Sequence, residues 1–146
     1  MSSDMSGWAT GRLLSTAARL AEHAWDAHLA RWDLNHAGFA VLHLLGGAPR
    51  SQRELAQAVQ VEDQTMSRVL DRLERHGHVC RARSTTDRRR VEVSLTRAGR
   101  TALEEASADD AAEALLGAAA GDLPALRAQL IGMIGDLSAR RWTPSG

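Results

Sequence analysis

The sequence has no lysine; all 18 of its basic residues are arginine, an absence that mostly reflects genomic composition. A single cysteine, Cys80, rules out an internal disulfide and leaves no second thiol in the chain to resolve a sulfenate. Long apolar runs are missing too. The longest uncharged run of apolar and small residues, Ala114 to Gly121, falls far short of the roughly 20 residues that cross a bilayer. The opening Met1-Ser2-Ser3-Asp4 has neither the basic start nor the apolar stretch of a signal peptide. The expectation is a soluble, cytoplasmic protein with no membrane partner.

Catalytic signatures are absent as well. There is no Gly-x-Ser-x-Gly elbow, no phosphate-binding glycine loop and no dinucleotide fingerprint, so neither an enzyme nor a bound cofactor is expected. The six histidines do not form a ligand motif: His23 and His28 are five apart, His36 and His43 seven apart, and His76 and His78 straddle Gly77. His36 and His43 do lie on nearly one helical face, and a site across helices that adds Glu22, Asp33 or His28 keeps metal response open as an alternative.

What is present is an uneven spread of charge. Formal net charge is zero, but Arg50 to Arg100 carries 12 Arg and 7 Asp plus Glu, a local +5, while the remainder carries 6 Arg and 11 acids, −5. A positive middle between acidic flanks suits a phosphate backbone.

That middle has a recognisable order. Ser51 with Glu54 three residues on forms a capping box that opens a short helix, Gln52 to Ala58. After the turn Val59-Gln60-Val61, Glu62 sits at the start of a second helix, Asp63 to His76, which stops at Gly77. In that helix Met66, Val69, Leu70 and Leu73 make one apolar stripe and leave Gln64, Arg68, Asp71, Arg72 and Arg75 facing outward. Guanidinium forks and carboxamides are the groups that match guanine and adenine edges. An ordinary solvated helix has the same look, and the next stretch shifts the balance. His78 to Arg83 and Arg90 to Leu95 read as strands, the second alternating Val91, Val93 and Leu95 with Arg90, Glu92 and Ser94. Between them lies Ser84-Thr85-Thr86-Asp87-Arg88-Arg89, a cationic tip. The pattern predicts a helix-turn-helix with a wing.

From these positions, Gln64, Thr65, Ser67 and Arg68 are expected at base edges, and Arg72 and Arg75 at phosphates. Ser51 and Gln52, at a helix start, suit a phosphate too.

Ser51 to Ala56, Asp71-Arg72-Leu73-Glu74-Arg75-His76-Gly77, Asp87-Arg88-Arg89 and Leu95-Thr96-Arg97-Ala98-Gly99 together resemble the winged-helix core of the MarR family, the multiple antibiotic resistance type regulators. The likeness is close over the middle third of the chain and extends to the flanks in layout only. One departure is the lack of the Ser-Pro pair with which the family often opens the reading helix. The resemblance implies that Arg89, two residues after Asp87, enters a minor groove with Asp87 orienting it. Arg83, Arg88 and Arg90 are expected to add charge beside it. Peroxide-sensing relatives use a cysteine near the start of the first helix, which this chain lacks, so Cys80 reads as an inert strand residue.

The flanks read as helices. Leu13, Ala17, Leu20 and Ala24 recur in a first helix from Trp8 to about Arg31, and Asn35 caps a second that ends at Gly46-Gly47, with Pro49 completing the connection. Thr96 caps a helix running to about Leu116, Gly117 to Gly121 reads as a break, and Asp122 caps a last helix carrying Leu123, Leu126, Leu130, Ile134 and Leu137. A lone winged helix cannot cover all these stripes, and the resemblance likewise implies a two-fold homodimer on a pseudo-palindromic operator. The expected fold is mainly α with a small β-hairpin wing, divided into residues 1–34 (dimerisation helix), 35–95 (DNA-binding region) and 96–146 (dimerisation helices).

Family members commonly bind a small ligand, often an anionic aromatic, in a crevice between the dimer arm and the winged helix. Trp25, His28, Leu29, Trp32, His36 and Phe39 surround the corresponding junction, although such residues equally suit a core. The expectation is therefore a DNA-binding transcriptional regulator, a repressor released by an effector. The rivals are a winged-helix protein-interaction module and a metal-responsive regulator.

Overall fold

A computed structural model describes residues 4–141. Its elements are α1 (Thr10–Leu29), a 3-10 turn (Ala30–Trp32), α2 (His36–Leu45), β1 (Arg50–Ser51), α3 (Gln52–Ala58), α4 (Asp63–Arg75), β2 (Val79–Arg83), β3 (Val91–Leu95), α5 (Arg97–Ala108), α6 (Ala111–Ala120) and α7 (Leu123–Arg141). They form two compact units, one ending at Asp109 and the other beginning at Asp110. The expected fold class holds: helices with a small antiparallel sheet.

Helix starts follow the predicted chemistry. Asn35 Oδ1 accepts the Gly38 amide at 2.8 Å, Ser51 Oγ that of Glu54 at 3.1 Å, Thr96 Oγ1 that of Gly99 at 3.0 Å and Asp122 Oδ1 that of Ala125 at 3.0 Å. The capping box at Ser51 is only half made. Ser51 lies in β1 opposite Glu92, and the Glu54 carboxylate pairs with Arg90 instead. β1 itself was not expected; it joins the hairpin to give a sheet ordered β1-β3-β2.

Helix ends are equally specific. Gly77 has φ 78°, its amide bonds to the Glu74 carbonyl at 3.0 Å, and the His78 amide bonds to the Leu73 carbonyl at 2.9 Å, a Schellman closure of α4. α5 then locks onto this turn. The Thr96 amide bonds to the His78 carbonyl at 3.1 Å, and a Cβ at Gly99 would lie 1.9 Å from that same oxygen, so only glycine lets the helix come this close.

The core of the first unit takes a residue or more from each of α1 to α5, and among its wholly buried side chains are Leu29, Leu42, Leu45, Leu55, Met66, Leu70 and Val93. The stripe of α4 sits in it as periodicity requires, with Val69 packed at its margin. The second unit is α6 packed on α7. Here the sequence expectation is corrected: the first C-terminal helix does not run to Leu116, because the chain breaks after Ala108 at Asp109-Asp110 and Gly117 lies inside α6. Two adjacent aspartates disfavour a helix interior more than one glycine flanked by leucine and alanine does. The later break survives at Gly121, with φ 75°.

Among the described residues, no helix is long and apolar enough to cross a membrane. Several large apolar side chains remain exposed, including Leu20 on α1 at 68% and Ile131, Ile134 and Leu137 on α7 at 64%, 58% and 57%.

Candidate nucleic-acid interface

Burying Met66, Leu70 and Leu73 fixes which way α4 faces. Gln64, Thr65, Arg68, Arg72 and Arg75 are consequently exposed, and Ser67 is half-buried beside them. Arg68, Arg72 and Arg75, at i, i+4 and i+7, lie along one side of the helix. Gln60 holds a left-handed φ of 61° between α3 and α4. The Gln60 and Val61 amides return to Gln57 and Ala56 at 3.2 and 3.0 Å, so the helix-turn-helix corner is closed by a non-glycine residue.

The wing pairs β2 with β3 from Val79↔Leu95 to Arg83↔Val91. Its tip is built by short polar groups. Ser84 Oγ accepts the Thr86 and Asp87 amides, each at 3.3 Å, while Asp87 Oδ1 accepts the Arg89 amide at 3.0 Å. Asp87 therefore orients Arg89 through its backbone, leaving the guanidinium exposed with Arg88 at the tip. The other two wing arginines turn back on the protein. Arg83 Nη1 donates to the Arg88 carbonyl at 2.8 Å, and Arg90 pairs with Glu54 of α3. Arg83 thus braces the tip and Arg90 links the wing to α3, where both were expected only to add charge.

Ser51, Gln52, Asp87, Arg89 and Arg90 meet in one cleft of about 500 Å³, lined also by Arg53, Asp63 and Val91. Sequence reasoning missed Arg53, an exposed guanidinium one position beyond Gln52 at the same helix start. It also missed Arg81, which bonds to Asp71 and Glu74 of α4.

The residues expected around an effector are engaged with one another and their surroundings. Trp25 and Phe39 rings lie 6.0 Å apart and those of His28 and Trp32 5.5 Å apart, while Trp32 Nε1 donates to Glu105 at 2.9 Å. Asp26 Oδ1 takes both the amide and Nδ1 of His36 at 2.8 Å. Partial burial pushes the Asp26 carboxyl up, but these bonds outweigh it and hold it below its ordinary range. A second cleft, of about 590 Å³, opens between the 3-10 turn and α5, lined by Trp32, Asp33, His78, Arg97, Ala98, Thr101, Ala102 and Glu105. Of the six residues expected around an effector, Trp32 alone lines it. Among the described residues, no group of three or more His, Cys, Asp or Glu side chains is arranged to hold a metal.

This geometry is the setting for a comparison with known proteins. The model of the MarR family matches residues 32–90, from the 3-10 turn through the wing. Over these residues the winged-helix core is similar to the MarR family. An uncharacterized HTH-type transcriptional regulator of Bacillus cereus is 40% identical over 79 residues, 53% of this chain and 52% of its own length. The HTH-type transcriptional repressor YetL of Bacillus subtilis is 34% identical over 86 residues, 57% of this chain and 52% of YetL. The chain thus spans about half the length of the curated relatives it matches. Similarity in structure reaches further. The transcriptional regulator MosR of M. tuberculosis, in complex with DNA, superposes with a TM-score of 0.80 and 28% identity over 91% of this chain and 98% of MosR. The repressor CouR, bound to a 23-mer DNA duplex, gives 0.77 and 28% over 94% and 98%. All four of these proteins are named as transcriptional regulators or repressors.

Proposed function

We propose that this chain is a transcriptional regulator that binds double-stranded DNA in a sequence-specific manner, as a homodimer on a pseudo-palindromic operator. The observation that carries the reading is that the arginine face of α4 and the exposed Arg89 of the wing belong to the same compact unit, with Ser51 and Gln52 lining the cleft beside Arg89. Gln64, Thr65, Ser67 and Arg68 address base edges in the major groove, Arg72 and Arg75 the phosphates, and Arg89 the neighbouring minor groove, with Arg88 adding charge at the backbone beside it. MosR and CouR, each solved with DNA, support this use of the fold. The exposed apolar side chains of α1 and α7 supply the dimer contact, which sets the two reading helices about 34 Å apart, one turn of duplex.

The regulator acts as a repressor, the role named for YetL, and an aromatic or anionic effector releases it at Trp25, His28, Trp32, His36 and Phe39. Selection from random duplex DNA by the purified chain tests the core of this reading. The expected product is an inverted repeat whose binding weakens steeply with salt. Recovery of no preferred sequence, or of a single half-site bound by one chain, overturns it. Repeating the selection with salicylate as a plain aromatic anion tests release.

A further inference from the structure

Arg81 stands apart from the basic side chains that address solvent. Its side chain is only 20% exposed, and Nη2 lies 2.6 Å from Asp71 Oδ1 and 3.3 Å from Glu74 Oε1. Nε donates to Glu74 Oε2 at 3.4 Å, and the Arg81 backbone amide donates to that same oxygen at 3.2 Å. Asp71 and Glu74, three residues apart, share one side of α4. The hydrogen bond from the Arg81 guanidinium holds the Glu74 carboxyl below its ordinary range. A guanidinium already met by two carboxylates has little net charge left for a phosphate, so this arginine serves a different purpose from Arg72 or Arg89.

The wing leaves α4 through the turn at Gly77 and then projects as a hairpin. Two arginines tie that hairpin back to the helix-turn-helix: Arg81 of β2 to Asp71 and Glu74 of α4, and Arg90 beside β3 to Glu54 of α3. We propose that Arg81 is a positioning residue that fixes the wing against the reading helix, so that Arg68 and Arg89 meet one duplex without a search for their mutual orientation. The proposal rests on the DNA-binding reading above. Orienting two contact elements before the encounter removes an ordering cost that binding otherwise bears.

The sign of a charge effect tests it. The probe is the duplex that the parent chain selects from a random pool. Arg81→Met, which keeps the aliphatic stem, is expected to bind it about tenfold more weakly, with the slope of log affinity against log salt unchanged. The double variant Asp71→Asn with Glu74→Gln removes two negative charges beside the duplex, yet it too is expected to bind about tenfold more weakly. If Arg81 instead touched phosphate, Arg81→Met would reduce the slope by about one unit and the double variant would bind more tightly, and either result overturns the proposal.

Amide hydrogen exchange decides the brace without DNA. Faster exchange in β2 and β3 of Arg81→Met, with α3 and α4 unchanged, supports it, and unchanged wing exchange overturns it. A parent chain that selects no duplex overturns the DNA reading alone, because the exchange result still stands or falls by itself.

Discussion

α4 and α7 both carry large apolar side chains at helical spacing, and these side chains meet different fates. In α4, Met66 and Leu70 are wholly buried and Leu73 is 3% exposed, covered by the α2, α3 and β2 neighbours of its own unit. In α7, Leu123, Leu126 and Leu130 are half-buried, but Ile131, Ile134 and Leu137 are 64%, 58% and 57% exposed. The difference shows that a stripe specifies a face to be covered without saying which chain covers it. Where other elements of the same unit supply the cover, the stripe becomes core. Where they do not, it is available to a second copy.

The largest expected effect follows from the covered stripe. Leu70→Ala should cost about 2–5 kcal/mol of unfolding free energy, since it opens a cavity where the core converges. That loss should be the same at any protein concentration when measured by denaturant titration of a two-state transition. The exposed stripe should respond in the opposite manner. Ile134→Glu should leave the helices folded and raise the dimer dissociation constant about tenfold or more, read by sedimentation velocity across a dilution series. A mass unchanged by Ile134→Glu, or a parent that sediments as one chain at micromolar concentration, removes the contrast between the two helices.

Most of this was legible because local chemistry decides it. The stripe of α4, the caps at Asn35, Ser51, Thr96 and Asp122, and the stop at Gly77 each depend on residues within one or two turns of helix. What was hidden depends on partners far away in the chain. β1 is two residues long and exists only because β3 passes beside it. Glu54 abandons the capping box for Arg90, which lies 36 positions later. Within the predicted turn Val59-Gln60-Val61 no glycine announced that Gln60 takes the left-handed φ, and the break at Asp109 lacked a signal as familiar as Gly117. Near the wing tip, spacing could not separate Arg88 and Arg89 from Arg83 and Arg90, which bond back to the protein although all four are exposed.

Smaller than either core or dimer effects are those at the reading face, where contrast within a single helix sharpens the assignment. Arg68→Ala is expected to cost about 1–3 kcal/mol on the selected duplex and to relax preference at one position. Arg72→Ala should weaken selected and unselected duplexes alike and reduce the salt slope by about one unit. Fluorescence anisotropy across a salt series separates these outcomes. Equal losses on all sequences for Arg68→Ala would move it from base edge to phosphate.

The smallest expected effect is on pH dependence, and it belongs to a covered residue again. His78 is 6% exposed, and its Nε2 lies 2.8 Å from the Trp32 carbonyl, which can only accept, so Nε2 carries the proton. A second proton would go to Nδ1, which is buried and has no hydrogen-bond partner among the described residues. Burial, and then the nearby His76, push the imidazole below its ordinary value near 6.5, with Asp33 pulling weakly the other way. In the unfolded chain the ring takes its proton at that ordinary value, so between the two values the unfolded state binds more protons. Stability from this site is therefore complete above about pH 6.5 and declines as pH falls toward the lower, folded value. His78→Gln keeps a donor for Trp32 without the titration. Its melting temperature should drop less than that of the parent between pH 7.5 and 5.5, and parallel curves would show that His78 is protonated as easily in the fold as outside it.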